Sequence, residues 1–176
     1  MISRIDSSGL TTVAIALGSN MGKREAHLAA AVSALRDLTG FRVVSVSQWI
    51  ETAPVGGPAE QRHFLNGALV GETELAPREL LGALQDIEQA RGRVRIEGER
   101  DGPRPLDLDL LVFGSSVIEE PDLSVPHPRM AQRDFVLIPL ASIAPDLLLP
   151  PTDKRVADLL RALQTTGAVE LSQGAI

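Results

Sequence analysis

Cysteine is absent from this chain of 176 residues. Disulfide bonds and thiolate metal sites are therefore excluded, and the absence fits a protein of the cytoplasm. Tyrosine is also absent and aromatic residues form only 3% of the sequence, so aliphatic side chains must fill the core. No apolar run approaches the roughly 20 residues of a membrane span, and residues 1–10 lack the apolar centre of a signal peptide. We expect one cytoplasmic domain over residues 1–176, with residues 1–10 as a flexible leader.

Lysine is nearly absent as well, because only two of the 17 basic residues are lysines and the rest are arginines. The formal net charge of −6 argues against nucleic acid as a partner, since nucleic-acid binders present basic surfaces. Several of the arginines nevertheless crowd one short segment: Arg91, Arg93, Arg95, Arg100 and Arg104. A local basic segment on an acidic protein indicates a small anionic ligand.

Hydrophobic periodicity predicts an α+β fold whose core elements run β-α-β-β-α-β, the order of ferredoxin-like folds. The predicted strands cover Thr12–Leu17, Phe41–Ile50, Phe64–Thr73 and Leu106–Phe113. Helical spacing begins near Leu28 and ends at Gly40, and a second helix starts at Pro77 and ends at Gly92. The first strand ends in residues 18–20, which we interpret as a turn with a helix-capping residue.

The rest of the chain predicts additions to this core. They are a hairpin at Val117–Leu123, a proline-rich turn at Pro126–Arg133, helices at Asp134–Ile143 and Thr152–Leu163, and a tail at Gly167–Ile176. Two segments, Glu51–His63 and residues 93–104, are rich in glycine, proline or arginine and predict long loops. Loops of that length in a compact domain usually carry function, so both are candidate binding loops.

Two aspartates stand one residue apart in the strand-forming stretch Arg100–Gly114. Residues i and i+2 of a strand point to the same face, so Asp107 and Asp109 present adjacent carboxylates that repel each other. A divalent cation removes that repulsion, and hard oxygen ligands beside arginines suit Mg²⁺ with a polyphosphate. The alternative is that both carboxylates are merely solvated at the start of an edge strand. The sequence contains neither a Walker A motif nor the histidine and carboxylate spacing of a zinc site.

The same stretch resembles the signature of the 6-hydroxymethyl-7,8-dihydropterin pyrophosphokinase family. Its Arg100, the turn at residues 102–104, both aspartates and the leucine pair at 110–111 fall on the family pattern. Further landmarks follow the family order between about Thr12 and Pro150: GSN at residues 18–20, TAP at 52–54, FLN at 64–66, GRVR at 92–95 and VPHPRM at 125–130. The chain departs from the pattern by one extra residue between Arg95 and Arg100, and by Asp101, which stands where an aromatic residue is common.

The resemblance implies an ATP-dependent transferase of folate biosynthesis. It would transfer the diphosphate of ATP to the hydroxymethyl group of 6-hydroxymethyl-7,8-dihydropterin and release AMP. Asp107 and Asp109 would hold two Mg²⁺ ions, and Arg93 and Arg104 would act on the phosphates during the transfer. ATP and the pterin would be the partners of a monomer that binds neither nucleic acid nor membrane.

The resemblance also assigns substrate-binding residues. Phe64 and Phe135 would stack on the two faces of the pterin, and Asn66 would bind its aminopyrimidinone edge. Backbone groups near Thr52 and Val55 would complete the pocket. The implied nucleotide contacts are Gln85, Glu88, Arg95, Arg100, His127 and Arg133. Taken alone, the residue types leave plainer alternatives open, in which both phenylalanines are ordinary core residues and the polar pair on the second helix faces solvent.

Two other functions fit parts of the sequence. The β-α-β-β-α-β order also underlies RNA-binding modules, but those need a basic surface and aromatic residues on the central strands. An inactive relative that acts as a scaffold is the second, although no catalytic position implied by the resemblance is lost. The acidic net charge and the paired aspartates favour the enzyme over the RNA-binding module.

Overall fold

The computed structural model describes residues 9–55, 61–93 and 103–166. Residues 1–8 of the predicted leader and the predicted tail from Gly167 lie outside the described residues. Most of the arginine-rich segment, including Arg95 and Arg100, lies outside them too. The predictions made for these parts of the chain therefore stay predictions.

An antiparallel sheet of five strands forms the centre of the protein. Its strands are β1 (Thr11–Ser19), β2 (Phe41–Val46), β3 (Ile50–Thr52), β4 (Phe64–Thr73) and β5 (Asp107–Phe113). β1 lies between β4 and β5, while β2 and β3 pair one after the other with the outer edge of β4. Alternate residues of β1 belong to two different hydrophobic clusters, so the central strand is buried on both faces.

Helices cover both faces of the sheet. α1 (Arg24–Asp37) and α2 (Pro77–Ala90) contribute to the hydrophobic cluster on one face. α3 (Asp134–Ile143) and α4 (Val156–Thr165) contribute to the cluster on the other. The short elements are β6 (Ile118–Glu120), β7 (Leu123–Val125), a 3₁₀ turn (Met130–Gln132), β8 (Leu148–Leu149) and β9 (Lys154–Arg155). Because the faces are covered, a site must open at an end or an edge of the sheet.

The second predicted strand is wrong at residues 47–49, where the structure interrupts it. It was expected to cover Phe41–Ile50 but stops at Val46, because the Ser47 side chain takes over the pairing. The Ser47 hydroxyl accepts the N–H of Ala68 at 2.9 Å in place of a backbone carbonyl. The chain then rejoins the sheet as β3, so the loop predicted from Glu51 begins after that strand.

The carboxyl-terminal elements also differ from prediction. The helix predicted at Thr152–Leu163 begins at Val156, because residues 154–155 form β9 and pair with β8. The hairpin predicted at Val117–Leu123 runs on to Val125, whose side chain is buried in the same cluster as α1 and α2. Both differences arise from pairing between short segments, which local propensity does not reveal.

Asn20 does not cap a helix, although the sequence predicted a cap there. α1 begins at Arg24, directly after Lys23. Asn20 is nevertheless buried, with 2% of its surface exposed, and it lies where β1 leaves the sheet. The prediction of mixed helix and sheet is confirmed. None of the helices in the described ranges is long and apolar enough to cross a membrane.

Candidate active site

Strand register brings the two aspartates and Asn66 to one patch of the sheet. Gly18 of β1 pairs with Asp107 on one side and with Asn66 on the other, and directly opposite residues share a face. Asp109 pairs with Ala16, one step further along the same face. A Cβ added to Gly18 would lie 3.0 Å from Asn66 Oδ1 and 3.9 Å from the Cβ of Asp107. Glycine therefore keeps this floor open.

A cleft of about 680 Å³, the first cleft, opens over this floor. Its walls come from β3, β4, β5 and the start of α3. The predicted site residues that line it are Thr52, Val55, Phe64, Asn66, Arg104, Asp107, Asp109, Arg133 and Phe135. Asn66 donates from Nδ2 to the Thr52 hydroxyl at 2.6 Å, which fixes the orientation of its amide. The first cleft therefore combines two aromatic rings, an oriented amide and a charged end.

Each phenylalanine of the first cleft has an arginine near its ring. The Cζ atom of Arg104 lies 5.8 Å from the centroid of Phe64, and that of Arg133 lies 5.5 Å from the centroid of Phe135. Both distances lie within the range of cation–π contacts. Both rings are half-buried and line the cleft, so neither is an enclosed core side chain.

A larger cleft of about 1930 Å³, the second cleft, adjoins the first beside α2 and the β6–β7 hairpin. Besides Arg104, its lining includes four of the predicted phosphate and nucleotide residues, Gln85, Glu88, Arg93 and His127. Arg104, Asp107 and Asp109 line both clefts. The two clefts therefore meet at one cation and two carboxylates.

Asp107 is held between two arginines, whereas Asp109 is half-buried beside Asp107. The Asp107 Oδ2 atom lies 3.0 Å from Nη2 of Arg104, and its Oδ1 atom contacts Nη1 of Arg93. Burial first, and then the charge of Asp107, raise the pKa of Asp109 to about 7, although Arg104 and Arg133 act in the opposite direction. Paired carboxylates of this kind are typical of functional sites.

Glu88, in the last turn of α2, is buried with 2% of its surface exposed. Its Oε1 atom accepts the N–H of Leu108 at 2.7 Å and contacts Nη1 of Arg93. Because Leu108 stands between the two aspartates, Glu88 fixes the backbone that carries both of them. The alternative of a solvent-exposed helix face is therefore wrong for Glu88, and Gln85 is half-buried at the wall of the second cleft.

His127 is anchored through its backbone and one ring nitrogen. Its N–H donates to the carbonyl of Leu111 at 2.9 Å, and its Nδ1 accepts the N–H of Arg129 at 3.2 Å. Because Nδ1 is the acceptor, the neutral ring carries its proton on Nε2. Burial, followed by the nearby Arg133 and Arg129, lowers the pKa of His127. At neutral pH the ring is an uncharged donor.

The structure places two predicted nucleotide residues in different clefts, and it adds lining residues that the sequence analysis did not identify. Arg133 lines the first cleft with Phe135, whereas His127 lines the second, although both were predicted as nucleotide contacts. The added residues of the first cleft include Ala16, Gly18 and Val136. Small residues at alternate positions of β1 are the signal that could have identified the floor of the cleft.

The donor set where the clefts meet suits Mg²⁺. Within the described ranges, no three or more histidine, cysteine or carboxylate side chains form a cluster that could hold a metal ion alone. Mg²⁺ does not need such a cage, since it keeps several waters and is usually held by one or two carboxylates together with substrate phosphates. Asp107 and Asp109 fit that arrangement.

Comparison with known proteins agrees with this geometry. A model of the family described as 7,8-dihydro-6-hydroxymethylpterin-pyrophosphokinase (HPPK) matches residues 14–145. The chain belongs to the HPPK family. It is therefore a transferase of folate biosynthesis, which carries out ATP-dependent pyrophosphoryl transfer to hydroxymethyldihydropterin, and the enzyme is favoured over the RNA-binding module.

Similarity to other HPPK proteins extends over most of the chain. The 2-amino-4-hydroxy-6-hydroxymethyldihydropteridine pyrophosphokinase of Pseudomonas aeruginosa is 45% identical over 159 residues, which are 90% of this chain and 96% of that protein. The Bacillus subtilis protein of the same name is 50% identical over 129 residues, which are 73% of this chain and 75% of that one.

Solved structures share the fold. A wild-type Plasmodium falciparum HPPK-DHPS chain with pteroate has a TM-score of 0.70 at 12% identity, over 93% of this chain and 45% of that chain. An HPPK-DHPS complex with substrates has a TM-score of 0.68 at 13% identity, over 89% of this chain and 44% of that chain. At such identity the likeness shows the fold alone, and this chain spans less than half the length of either.

Proposed function

We propose that the first cleft binds 6-hydroxymethyl-7,8-dihydropterin and that the second cleft binds ATP. The observation that carries this proposal is the shared wall, because Arg104, Asp107 and Asp109 line both clefts. The hydroxymethyl oxygen would reach that wall from one side and the β-phosphorus of ATP from the other, with AMP as the leaving group. Holding two reactants in this way makes their reaction effectively unimolecular.

The first cleft holds the pterin ring between Phe64 and Phe135. Each stacking contact contributes ~0.5–1.5 kcal/mol beyond burial. Asn66 binds the polar edge of the ring, since an amide offers two donors and an acceptor and Thr52 occupies one donor. Backbone groups near Thr52 and Val55 complete the pocket, in keeping with the family resemblance.

Asp107 and Asp109 would hold two Mg²⁺ ions. When bound, the ions neutralise phosphate charge and acidify the attacking hydroxyl. The pair needs such a counter-charge, because burial beside Asp107 raises the pKa of Asp109 to about 7. Binding, orientation and the exclusion of water remain the work of the surrounding side chains.

Arginines supply the positive charge that the transferred diphosphate requires. Arg93 and Arg104 flank Asp107, and Nε of Arg104 is buried with no hydrogen-bond partner among the described residues. A buried donor of this kind is rarely left unpaired, and a phosphate oxygen is a suitable acceptor. Arg95 and Arg100 place further positive charge beside the triphosphate, and Arg133 does so from the side of the first cleft. Gln85, Glu88 and His127 form the nucleotide side of the site.

We also propose a ferredoxin-like α+β topology, with β3 as an addition to the core. The antiparallel order β2-β4-β1-β5 supports it. A cytoplasmic location is in keeping with the absence of cysteine. We propose a monomer because one chain supplies the walls of both clefts.

Binding of each substrate alone, measured by calorimetry, tests which cleft binds which ligand. Phe64→Ala should weaken pterin binding by about 1–3 kcal/mol and leave Mg-ATP binding nearly unchanged. Phe64→Leu keeps most of the apolar area and isolates the loss of stacking. His127→Ala, the matched change in the second cleft, should weaken Mg-ATP binding and spare the pterin. Equal losses for both ligands in Phe64→Ala or His127→Ala would contradict the assignment.

A further inference from the structure

Asn20 lines neither cleft, yet it forms hydrogen bonds to two segments that border them. The Oδ1 atom of Asn20 accepts the backbone N–H of Arg104 at 2.8 Å. The backbone N–H of Asn20 donates to the Arg104 carbonyl at 3.2 Å. Its Nδ2 atom donates to Oε1 of Gln61 at 3.2 Å and to the carbonyl of Arg62 at 3.4 Å. One buried amide therefore connects the end of β1 with the segment before β4 and the segment before β5.

The two neighbours of Arg104 increase the importance of its hydrogen bonds to Asn20, which we call the Asn20 anchor. Arg104 stands between Pro103 and Pro105, and proline has no backbone N–H. Arg104 therefore carries the one backbone N–H of this tripeptide, and Asn20 binds it. Asn20 also binds the carbonyl of the same residue, so both backbone polar groups of Arg104 pair with a single partner.

The position of the Arg104 backbone sets the position of its guanidinium. That group lies 3.0 Å from Oδ2 of Asp107 and 5.8 Å from the centroid of Phe64, where the two clefts meet. A shift of the backbone would move this charge relative to both substrates. Misplacement by ~1 Å can slow a reaction by about 10²-fold, even when the change lies away from the reacting atoms.

We propose that Asn20 is a positioning residue for the diphosphate transfer and that it acts through the backbone of Arg104. The inference rests on the proposed function, in which Arg104 pairs with the transferred group. Asn20 holds the N–H and carbonyl of Arg104 from one side. Its bonds to Gln61 and Arg62 tie the same anchor to the segment that leads into Phe64.

A double-mutant cycle on steady-state turnover tests this assignment. Asn20→Ala should lower kcat by about 10- to 100-fold, with a smaller change in either KM. Asn20→Ala combined with Arg104→Ala should be no slower than Arg104→Ala alone, because the two residues act in one path. Multiplied losses in the double variant would overturn the inference, and so would a normal kcat in Asn20→Ala. Asn20→Ser replaces Asn20→Ala in the cycle if the alanine variant does not fold.

Two further variants separate positioning from a general loss of stability. Asn20→Asp keeps an oxygen that accepts the Arg104 N–H, so it should retain far more of kcat than Asn20→Ala; an equal loss would overturn the inference. Thr73→Val is the matched control at the opposite end of the β1–β4 pair. The buried Thr73 hydroxyl binds the carbonyl of Gly40 at 2.8 Å and the N–H of Leu75 at 3.0 Å. Its loss should lower Tm and leave kcat unchanged.

Arg104→Ala alone distinguishes this inference from the proposed function. If Arg104→Ala keeps the wild-type kcat, the proposed role of Arg104 fails and the inference fails with it. Arg104→Ala can instead have a low kcat while Asn20→Ala has a normal one, or the two losses can multiply in the double variant. In either case the proposed function stands and the role of Asn20 alone is overturned.

Discussion

At Asp109 the fold half-buries one carboxylate beside another. Burial, and then the charge of Asp107, raise the pKa of Asp109 to about 7, whereas an aspartate in an unfolded chain ionises near pH 3.9. The folded protein therefore binds this proton more tightly than the unfolded chain does. The stability linked to the proton is fully present below about pH 4 and is lost as the pH rises through 7. Without Mg²⁺ at pH 8, the charge of Asp109 destabilises the fold.

Asp109→Asn removes that charge and keeps the shape of the side chain. We expect it to raise the free energy of unfolding at pH 8 by on the order of 1–3 kcal/mol, with a smaller gain at pH 5, and to abolish turnover. Asp107→Asn is the matched control, because the charge of Asp107 pairs with Arg93 and Arg104 and its loss should lower stability. Urea unfolding of the metal-free wild type and both variants at pH 5 and pH 8 measures these changes in unfolding free energy. A gain that does not depend on pH would contradict the raised pKa.

At the scale of elements, α2 and β5 are joined through Glu88. Glu88→Ala removes the acceptor of the buried Leu108 N–H and one partner of Arg93, so we expect a loss of about 1–3 kcal/mol in unfolding free energy. Turnover should fall as well, because Leu108 lies between the two aspartates and its backbone positions both of them. Glu88→Gln keeps an oxygen for Leu108 and should lose less. Urea unfolding and steady-state kinetics on the same preparations check both expectations.

The control for Glu88 is at the other end of the same helix. Glu79 accepts the N–H of Ala76 at 2.7 Å, a bond of the same length as that from Leu108 to Glu88, but in an exposed position. Glu79→Ala should lower stability by about 1 kcal/mol or less and leave turnover unchanged. Equal losses of stability and turnover in Glu79→Ala and Glu88→Ala would contradict the expectation that the buried Glu88 contact contributes more than the exposed one.

Local sequence pattern was sufficient for β4 and β5, the strands that carry Asn66 and the two aspartates. Alternation predicted β4 with the bounds that the structure has, and the i, i+2 spacing correctly placed both aspartates of β5 on one face. Contacts between distant residues leave no such local signal. Nothing near Glu88 indicates that it binds Leu108, and Asn20 meets Arg104 across 84 positions of the chain. β3 was missed for the same reason, since its residues form a strand only by pairing with β4.

At the scale of the whole molecule, the charge at the site opposes the average charge. The chain carries a formal net charge of −6, yet Arg104 lies where the clefts meet, Arg93 lines the second cleft and Arg133 lines the first. Such a local field concentrates a small polyanion while the acidic remainder repels long ones. The sequence therefore indicated the class of ligand from charge alone, whereas the division into two clefts required the packing of β5 against β1 and the approach of α3.

Phosphorus NMR of one reaction mixture tests the central claim most directly. Purified protein with Mg-ATP and 6-hydroxymethyl-7,8-dihydropterin should convert ATP to AMP in step with a diphosphate ester of the pterin, because the β- and γ-phosphorus atoms leave together. Asp107→Ala should form neither product. Formation of ADP, release of AMP without the pterin, or full turnover by Asp107→Ala would contradict diphosphate transfer at the meeting point of the two clefts.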